Sequence, residues 1–419
     1  MLAVTAPRYD VTDLLRIDVA AELRKLAEGQ LQGVEQLPTE LVRRALRGGA
    51  SNVHVELARH RLRIVDDGPG PTHGVLDRVA ALLDGKREDA ERHLALVELE
   101  RGGELALLAA AAFDVEHLEI SSARGQTLVC NRGQRPRMLP STSSGWTTIV
   151  LRSRRLDRAT AESWLRGACR FAKASITLRG KELSRGLSGL SQRPLESPLV
   201  GEVAIPLTGE TSRVHMLQHG VVTAHASVPQ MPCFEAAVEM GEIDGASGAA
   251  ALRAALHPHI DELVDQAIQL MIHVGKEAAK LHHRQRTRIT RLLLRAARQR
   301  RRWEEISRLE LFPAAAGLER RTWLDLRTMS AATDAEARAL LAIYPEQDPE
   351  AFVIGDGPVW ILDEVERSLV ADLLGVRFCP PPRATASSLL ARAQRTSRAF
   401  FSVLRDLAVR VAHPFRKAR

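Results

Sequence analysis

Glu40, Arg44 and Arg47 stand at i, i+4 and i+7 in the run ELVRRALR, so a helix there presents one carboxylate and two guanidinium groups on one face. A carboxylate so placed can orient and deprotonate a water. An arginine beside it can neutralise phosphate or pair with the carboxylate itself. Further on, Asp66-Asp67-Gly68-Pro69-Gly70 joins two acids to two glycines. An ionised carboxylate is a strong acceptor for an amine N–H. Glycine lets backbone approach a flat ligand or adopt positive φ. Arg101-Gly102-Gly103-Glu104 precedes an alanine-rich apolar run, and a helix start near Gly102 and Gly103 would aim free N–H groups at an anion such as phosphate. Gly145-Trp146-Thr147-Thr148 opens another apolar run. Taken singly each fragment is ordinary: an amphipathic helix, a turn, a loop with a cap, a strand start.

The order of elements gives these fragments a frame. Residues 12 to 28 have helical apolar spacing closed by Gly29, and a second helix runs from Leu37 to Arg47 and stops at Gly48-Gly49. Asn52 to Leu57 and Leu62 to Val65 read as two strands joined tightly, with a turn over 66 to 71. The pattern predicts helix over 75 to 83, a charged loop or helix start over 84 to 92, and helix over 104 to 113. Strands follow at 115 to 121, 126 to 130 and 147 to 152, then a helix near 158 to 173 and a strand near 175 to 179. The Ser-, Gly- and Pro-rich stretch 184 to 198 reads as a linker. Beyond it come strands at 200 to 206 and 212 to 227, long helices over 248 to 281, and an arginine-dense helix over 284 to 302. The rest mixes helices with short strands at 351 to 354 and 358 to 362, and ends in a basic amphipathic segment, 386 to 412. Three domains are expected: 1 to 190, 198 to 305 and 306 to 419.

The 419 residues are 45% hydrophobic and 26% charged, ordinary for a globular chain. The net charge of +8 favours acidic partners, nucleic acid or anionic membrane among them, although arginine-rich composition also follows from genomic base bias. No stretch approaches the roughly 18 apolar residues of a membrane span. Arg8, Asp10, Asp13 and Arg16 interrupt any apolar leader, so a cytoplasmic location is expected. Cys130, Cys169, Cys233 and Cys379 are scattered, and His282-His283 has no acidic partner at metal spacing, so no metal site is expected.

The succession of the Glu40 helix, the Gly48-Gly49-Ala50 exit, two strands, Asp66-x-Gly68-x-Gly70, Arg101-Gly102-Gly103-Glu104 and Gly145-Trp146-Thr147 resembles the motifs of the GHKL superfamily. That superfamily includes gyrase B, the heat-shock chaperones of ninety kilodaltons, histidine kinases and MutL. The resemblance covers roughly residues 35 to 152. It implies an α+β chain: an N-terminal Bergerat-type α/β sandwich with a mixed sheet, a smaller α/β middle domain and a mainly helical C-terminal region. It implies ATP or ADP as ligand. Asp66 would accept from the adenine amine, Gly68 and Gly70 would approach the base, Gly102 and Gly103 would belong to the phosphate lid, and Glu40 would be the catalytic base.

This chain departs from the motif at Arg44, at Arg47, which replaces an acidic residue of the same helix, at Trp146, and in a lid that lacks a run of glycines. Arg44 stands where the family has the asparagine that holds Mg²⁺, and arginine has no acceptor atom for a cation, so magnesium is doubtful. Two arrangements compete: Arg44 contacts phosphate directly, or Arg44 pairs with Glu40 and hydrolysis is lost. The second is favoured, because a salt-bridged carboxylate is a poor base. Trp146 takes the place of the family's threonine, and Thr147 substitutes only if the strand shifts by one residue.

Three functions follow from the resemblance. The favoured one is a chaperone-like ATP-binding protein with slow or absent hydrolysis, client proteins and a homodimer. The others are a MutL-like DNA-associated ATPase and an interaction module without turnover. Nucleic acid binding by the 284 to 302 helix is weakly supported, since no aromatic or groove-reading pattern accompanies its arginines.

Overall fold

The computed structural model describes residues 18–31, 33–113, 116–141, 145–229, 232–241, 249–316, 319–333, 339–349, 352 and 357–383. The residues group into two units. One comprises Met1–Pro206, Thr211–Pro229 and Phe234–Gln266, and the other Leu207–Glu210, Gln230–Cys233 and Ala267–Arg419. This grouping divides the chain within the stretch expected as a middle domain, rather than near 190 or 305.

The first unit opens with helices α1 (Val19–Gln30) and α2 (Leu37–Arg47). Proline in the first turn of α2 suits a helix start, where its missing N–H costs nothing. Leu37, Leu41, Val42 and Ala45 bury one side of α2. The helix ends with Gly48 N–H donating to Arg44 O and Ala50 N–H reaching back to Ala45 O (3.0 Å), across Gly49 at φ 89°.

Strands β1 (Asn52–Ala58) and β2 (Arg61–Asp66) form the hairpin expected. Helices α3 (His73–Leu83), α4 (Asp89–Arg101) and α5 (Leu105–Ala112) follow. Next come β3 (His117–Ser122), β4 (Gln126–Asn131), β5 (Arg137–Pro140) and β6 (Thr147–Arg152). Helix α6 (Arg158–Ala168) and strands β7 (Ser175–Leu178) and β8 (Lys181–Glu182) complete the block. These strands make one eight-stranded sheet in the order β5-β4-β3-β6-β2-β1-β7-β8. It is mixed: β1 pairs parallel with β7, and its other pairings are antiparallel.

The same unit holds a second sheet of β9 (Ser191–Pro194), β10 (Gly201–Ile205), β11 (Ser212–Gln218), β12 (Val221–Val228) and β13 (Glu235–Glu239), in the order β12-β11-β13-β10-β9. Strand β9 lies inside the stretch expected to be a linker. It is short and polar, and only its pairing with β10 makes it a strand. Helix α7 (Ala249–Leu256) follows, and the division between the units falls within α8 (Ile260–Gly275).

The second unit continues with α9 (His283–Arg298), the arginine-dense helix, and the short α10 (Trp303–Ile306). Its sheet contains β14 (Phe312–Ala316), β15 (Glu319–Leu324), β16 (Ala339–Ile343), β17 (Val359–Ile361) and β18 (Arg377–Cys379), in the order β15-β14-β17-β16-β18. Helices α11 (Leu326–Ala331) and α12 (Glu364–Leu374) accompany it. A mainly helical C-terminal region is therefore corrected to a mixed α/β one. Runs such as ALLAI and VWI are apolar throughout, and periodicity alone cannot assign so short a buried strand. The basic segment 386 to 412 lies outside the described residues, as does all but Phe352 of the strand expected at 351 to 354.

Candidate functional site

The inner face of the eight-stranded sheet is built from cross-strand rows. On β2, burial alternates so that Leu62, Ile64 and Asp66 share the covered face. On β6, Leu151, Ile149 and Thr147 are their register partners. On β3, Leu118 and Ile120 continue the first two rows, paired with Leu151 and Ile149, and Ser122 follows by alternation. Two rows are thus wholly aliphatic and the third is Asp66–Thr147–Ser122, three polar residues in core positions. Asp66 is 2% exposed, and Thr147 and Ser122 are fully buried.

A buried polar row requires partners. Asp66 Oδ1 accepts from Gly68 N–H at 3.0 Å. Thr147 Oγ1 donates to Gly68 O at 3.1 Å and accepts from Ala123 N–H at 3.3 Å. Ser122 Oγ donates to Pro71 O at 2.8 Å. Gly70 sits at φ 69°, and a Cβ there would lie 2.3 Å from Thr147 Oγ1 and 2.8 Å from Ser122 Oγ, so only glycine fits. The neighbouring Asp67 points the other way and fastens the hairpin mouth, accepting from Ser51 N–H (2.7 Å) and Asn52 N–H (2.9 Å). Burial pushes the Asp66 carboxyl up to about 6, against the opposing pull of the Gly68 N–H and the Arg44 charge.

Arg44 therefore acts electrostatically on Asp66, but its ion-pair partner is Glu104, at 2.7 Å from Nε, with both side chains largely buried. Glu40 is held by Arg43 on its own helix, through Nε at 2.8 Å and through Nη2. Its charge reaches the buried Cys169 thiol, which burial pushes up to about 12 with Glu40 adding to the rise. The Glu40–Arg44 pair expected from spacing is thus replaced by two others. A partner at i+3 serves Glu40, and a carboxylate sixty residues away serves Arg44.

Gly102 and Gly103 also differ from expectation. They end α4 rather than begin α5. Gly102 N–H donates to Glu98 O (3.0 Å), Gly103 N–H to Glu100 O (2.9 Å), and Glu104 N–H to Leu99 O (2.9 Å). Their N–H groups are engaged, and the groups left over by a helix start belong to Leu105 and Ala106. Gly103, at φ 68°, is where the Arg47 guanidinium packs: a Cβ there would be 2.4 Å from Nη1.

Trp146 is 40% exposed, whereas Thr147 is the residue facing the Asp66 loop, in a ladder with no register shift. Ser122 was not among the residues singled out in the sequence. Its only signal there is its place two residues after Ile120 in an alternating strand.

Residues fit for magnesium do not assemble around Asp66. Arg44 offers only donors, and one oxygen of Glu40 is taken by Arg43. Among the described residues no three His, Cys, Asp or Glu side chains group as a metal site. No described helix is long and apolar enough to cross a membrane.

In the second unit, the arginines of α9 have local partners. Arg291 pairs with Asp363 (2.6 Å), Arg295 with Glu210 (2.6 Å), and Arg298 with Asp372 (3.4 Å), while Arg286 stacks on Trp323. Leu292, Leu293 and Leu294 are buried.

No family model matches this chain, and no curated protein matches it. Among solved structures it is similar to the ATPase region of Saccharomyces cerevisiae topoisomerase II, at 12% identity and a TM-score of 0.32, over 45% of this chain and 62% of that one. The chain thus spans less than two thirds of that ATPase region, and a likeness this distant carries no argument about function.

Proposed function

We propose that the Asp66 end of the eight-stranded sheet is a GHKL-type purine nucleotide site that binds ATP or ADP without magnesium and without hydrolysis. The observation that carries this reading is the Asp66–Thr147–Ser122 row, polar residues in core positions under a loop whose Gly70 admits no side chain. A carboxylate there is an acceptor for an exocyclic amine, and the hydroxyl of Thr147 stands beside it. Gly68 and Gly70 would bring backbone against the base. Arg44 would meet phosphate as a bare cation, once released from Glu104. Glu40, with one oxygen held by Arg43, is a weakened base and is not assigned a catalytic role.

A chaperone-like role, with clients and a homodimer, is the further part of this reading and predicts nucleotide-sensitive compaction. The DNA-associated alternative draws less support, because Arg291, Arg295 and Arg298 of α9 are already matched by carboxylates.

Calorimetry of the full chain with ADP and ATP, with and without Mg²⁺, tests the reading. We expect binding that magnesium does not strengthen, about tenfold weaker in Asp66→Asn, which loses the charged acceptor. We expect no turnover in a single-turnover assay, unchanged by Glu40→Ala. No heat and no melting shift at millimolar nucleotide would overturn it.

A further inference from the structure

At the opposite end of the same sheet, the β1–β2 hairpin turns through Arg59 and His60, and β6 runs out into the 153–157 loop before α6. Ser153 N–H donates to His60 O (3.1 Å) and ties the two turns together. A cavity of about 400 Å³ opens there, lined by Arg59, His60, Arg154, Arg155, Asp157 and Arg158, with Leu156 its one apolar side chain. Arg154 pairs with Glu116 (2.6 Å) and Arg158 with Glu162 (3.0 Å). Asp157, the one acid in the lining, is committed to the α6 N-cap, accepting from Thr160 N–H (2.8 Å) and Thr160 O–H (2.6 Å). Arg59 and Arg155 have no ion-pair partner among the described residues.

The strands beside the cavity add to the charge. Arg61 on β2 and Arg152 on β6 are exposed, directly opposite in register, and without an ion-pair partner among the described residues. Like charges placed opposite one another on adjacent strands destabilise the pairing. His60 is held at φ 60°, a conformation uncommon outside glycine, and its Nδ1 is buried without a hydrogen-bond partner.

We propose that this end of the sheet binds a phosphate chain, with Arg59 and Arg155 as its main contacts and Arg61 and Arg152 extending the site along the strand ends. Guanidinium forks match phosphate oxygens two at a time, and a multiply charged anion relieves the repulsion between the unmatched arginines. The lining has no Phe, Tyr or Trp and is dominated by guanidinium donors, so phosphate is the group it suits. The site is distinct from the one at Asp66, the length of β2 away, about 17 Å at the usual rise per residue.

Inorganic tripolyphosphate and a short single-stranded oligonucleotide, each titrated into the full chain at low salt, test the proposal and separate its two phosphate sources. We expect binding that weakens steeply with salt and falls about tenfold or more in Arg59→Ser/Arg155→Ser. Arg298→Ser, a surface arginine of the second unit, and Asp66→Asn should leave it unchanged. Tight binding of the oligonucleotide alone, with the same variant dependence, assigns the phosphates to a nucleic-acid backbone. Binding of tripolyphosphate alone assigns them to a small polyphosphate. Absence of binding by either probe, equal loss in Arg298→Ser, or loss in Asp66→Asn would overturn the proposal.

Discussion

The two ends of the eight-stranded sheet use the same strands for opposite purposes. At the Asp66 end, the inner face carries its alternation one step past the aliphatic rows and buries a carboxylate and two hydroxyls under a glycine loop. At the Arg59 end, the same strands finish in exposed arginines, two of them facing each other in register. One end has close approach and a few buried hydrogen bonds, with acceptor capacity left on Asp66. The other has a cationic field that its own acids do not cancel. The difference lies in which residue type occupies the last position of each strand, and it implies opposite responses to salt: weak where the recognising group is buried, strong where it is exposed.

The sharpest way to break this comparison is at Gly70. In Gly70→Ala the new Cβ would meet Thr147 Oγ1 at 2.3 Å and Ser122 Oγ at 2.8 Å, at a residue whose φ is 69°. Strain and displacement of the buried hydroxyls together should destabilise the chain by about 3 kcal/mol. Nucleotide binding should be lost, while tripolyphosphate binding at the Arg59 end survives wherever the chain remains folded. Chemical denaturation and the two titrations check this. A neutral Gly70→Ala would mean that the loop is not packed on the polar row.

Arg44 comes next. Arg44→Ala leaves Glu104 partly buried and unpaired at the start of α5, and the folded chain should lose about 2 kcal/mol. The positive end of the helix dipole at α5 offsets part of the cost of the stranded carboxylate. Glu104→Gln is the informative partner. It frees the Arg44 guanidinium and should tighten ADP and ATP binding severalfold without needing Mg²⁺. Unchanged affinity in Glu104→Gln would remove Arg44 from the nucleotide site.

Legibility in the sequence followed the range of the interaction. Helix α2 was readable, from about Leu37 to Arg47, because helical spacing and a glycine exit are local. Asp66 was readable because the Asp66-x-Gly68-x-Gly70 run follows directly on a strand. Thr147 needed the β2–β6 register, which a sequence does not print, and the aromatic Trp146 beside it obscured the match. Ser122 had only its place in the alternation of β3. The partners of Glu40 and Arg44 were misread, because i, i+4 geometry competes with i, i+3 and with a carboxylate brought in by the fold from sixty residues away. Gly102 and Gly103 lie between two helices, and the same residues suit the end of one as well as the start of the next. Strand β9 and the third sheet are short elements whose strand character comes from their neighbours.

The carboxyl of Asp66 gives a test that separates stability from recognition. Burial raises its pKa from 3.8 to about 6. Between those values the folded chain keeps a proton that the unfolded chain has released. Stability therefore falls as the pH rises from about 4 through about 6, and above that the ionised group costs about 2–3 kcal/mol. Asp66→Asn should be more stable than the parent at pH 8 by about 2 kcal/mol and equal to it near pH 4, with nucleotide affinity reduced at pH 8 and little different near pH 4, where the parent carboxyl is itself protonated. Denaturant midpoints at the two pH values measure this. Equal stability at pH 8 would show that the carboxylate is solvated, and would remove the buried acceptor on which the nucleotide reading rests.

The smallest effect lies at the other end, and it has the opposite character. Arg61 and Arg152 repel across the β2–β6 ladder without an ion-pair partner among the described residues. Replacing one of them, as in Arg152→Ser, removes that repulsion and should stabilise the chain by a few tenths of a kcal/mol at low salt. The gain should fade as ionic strength rises, because exposed charges are screened. Tripolyphosphate affinity should fall in the same variant. A substitution that raises stability while lowering anion binding is what a ligand site on a strand end produces, since the ligand supplies the counter-charge that the fold omits. If Arg152→Ser destabilises the chain at every salt concentration, the guanidinium is a structural contact, and the two ends of the sheet are less different than their charges imply.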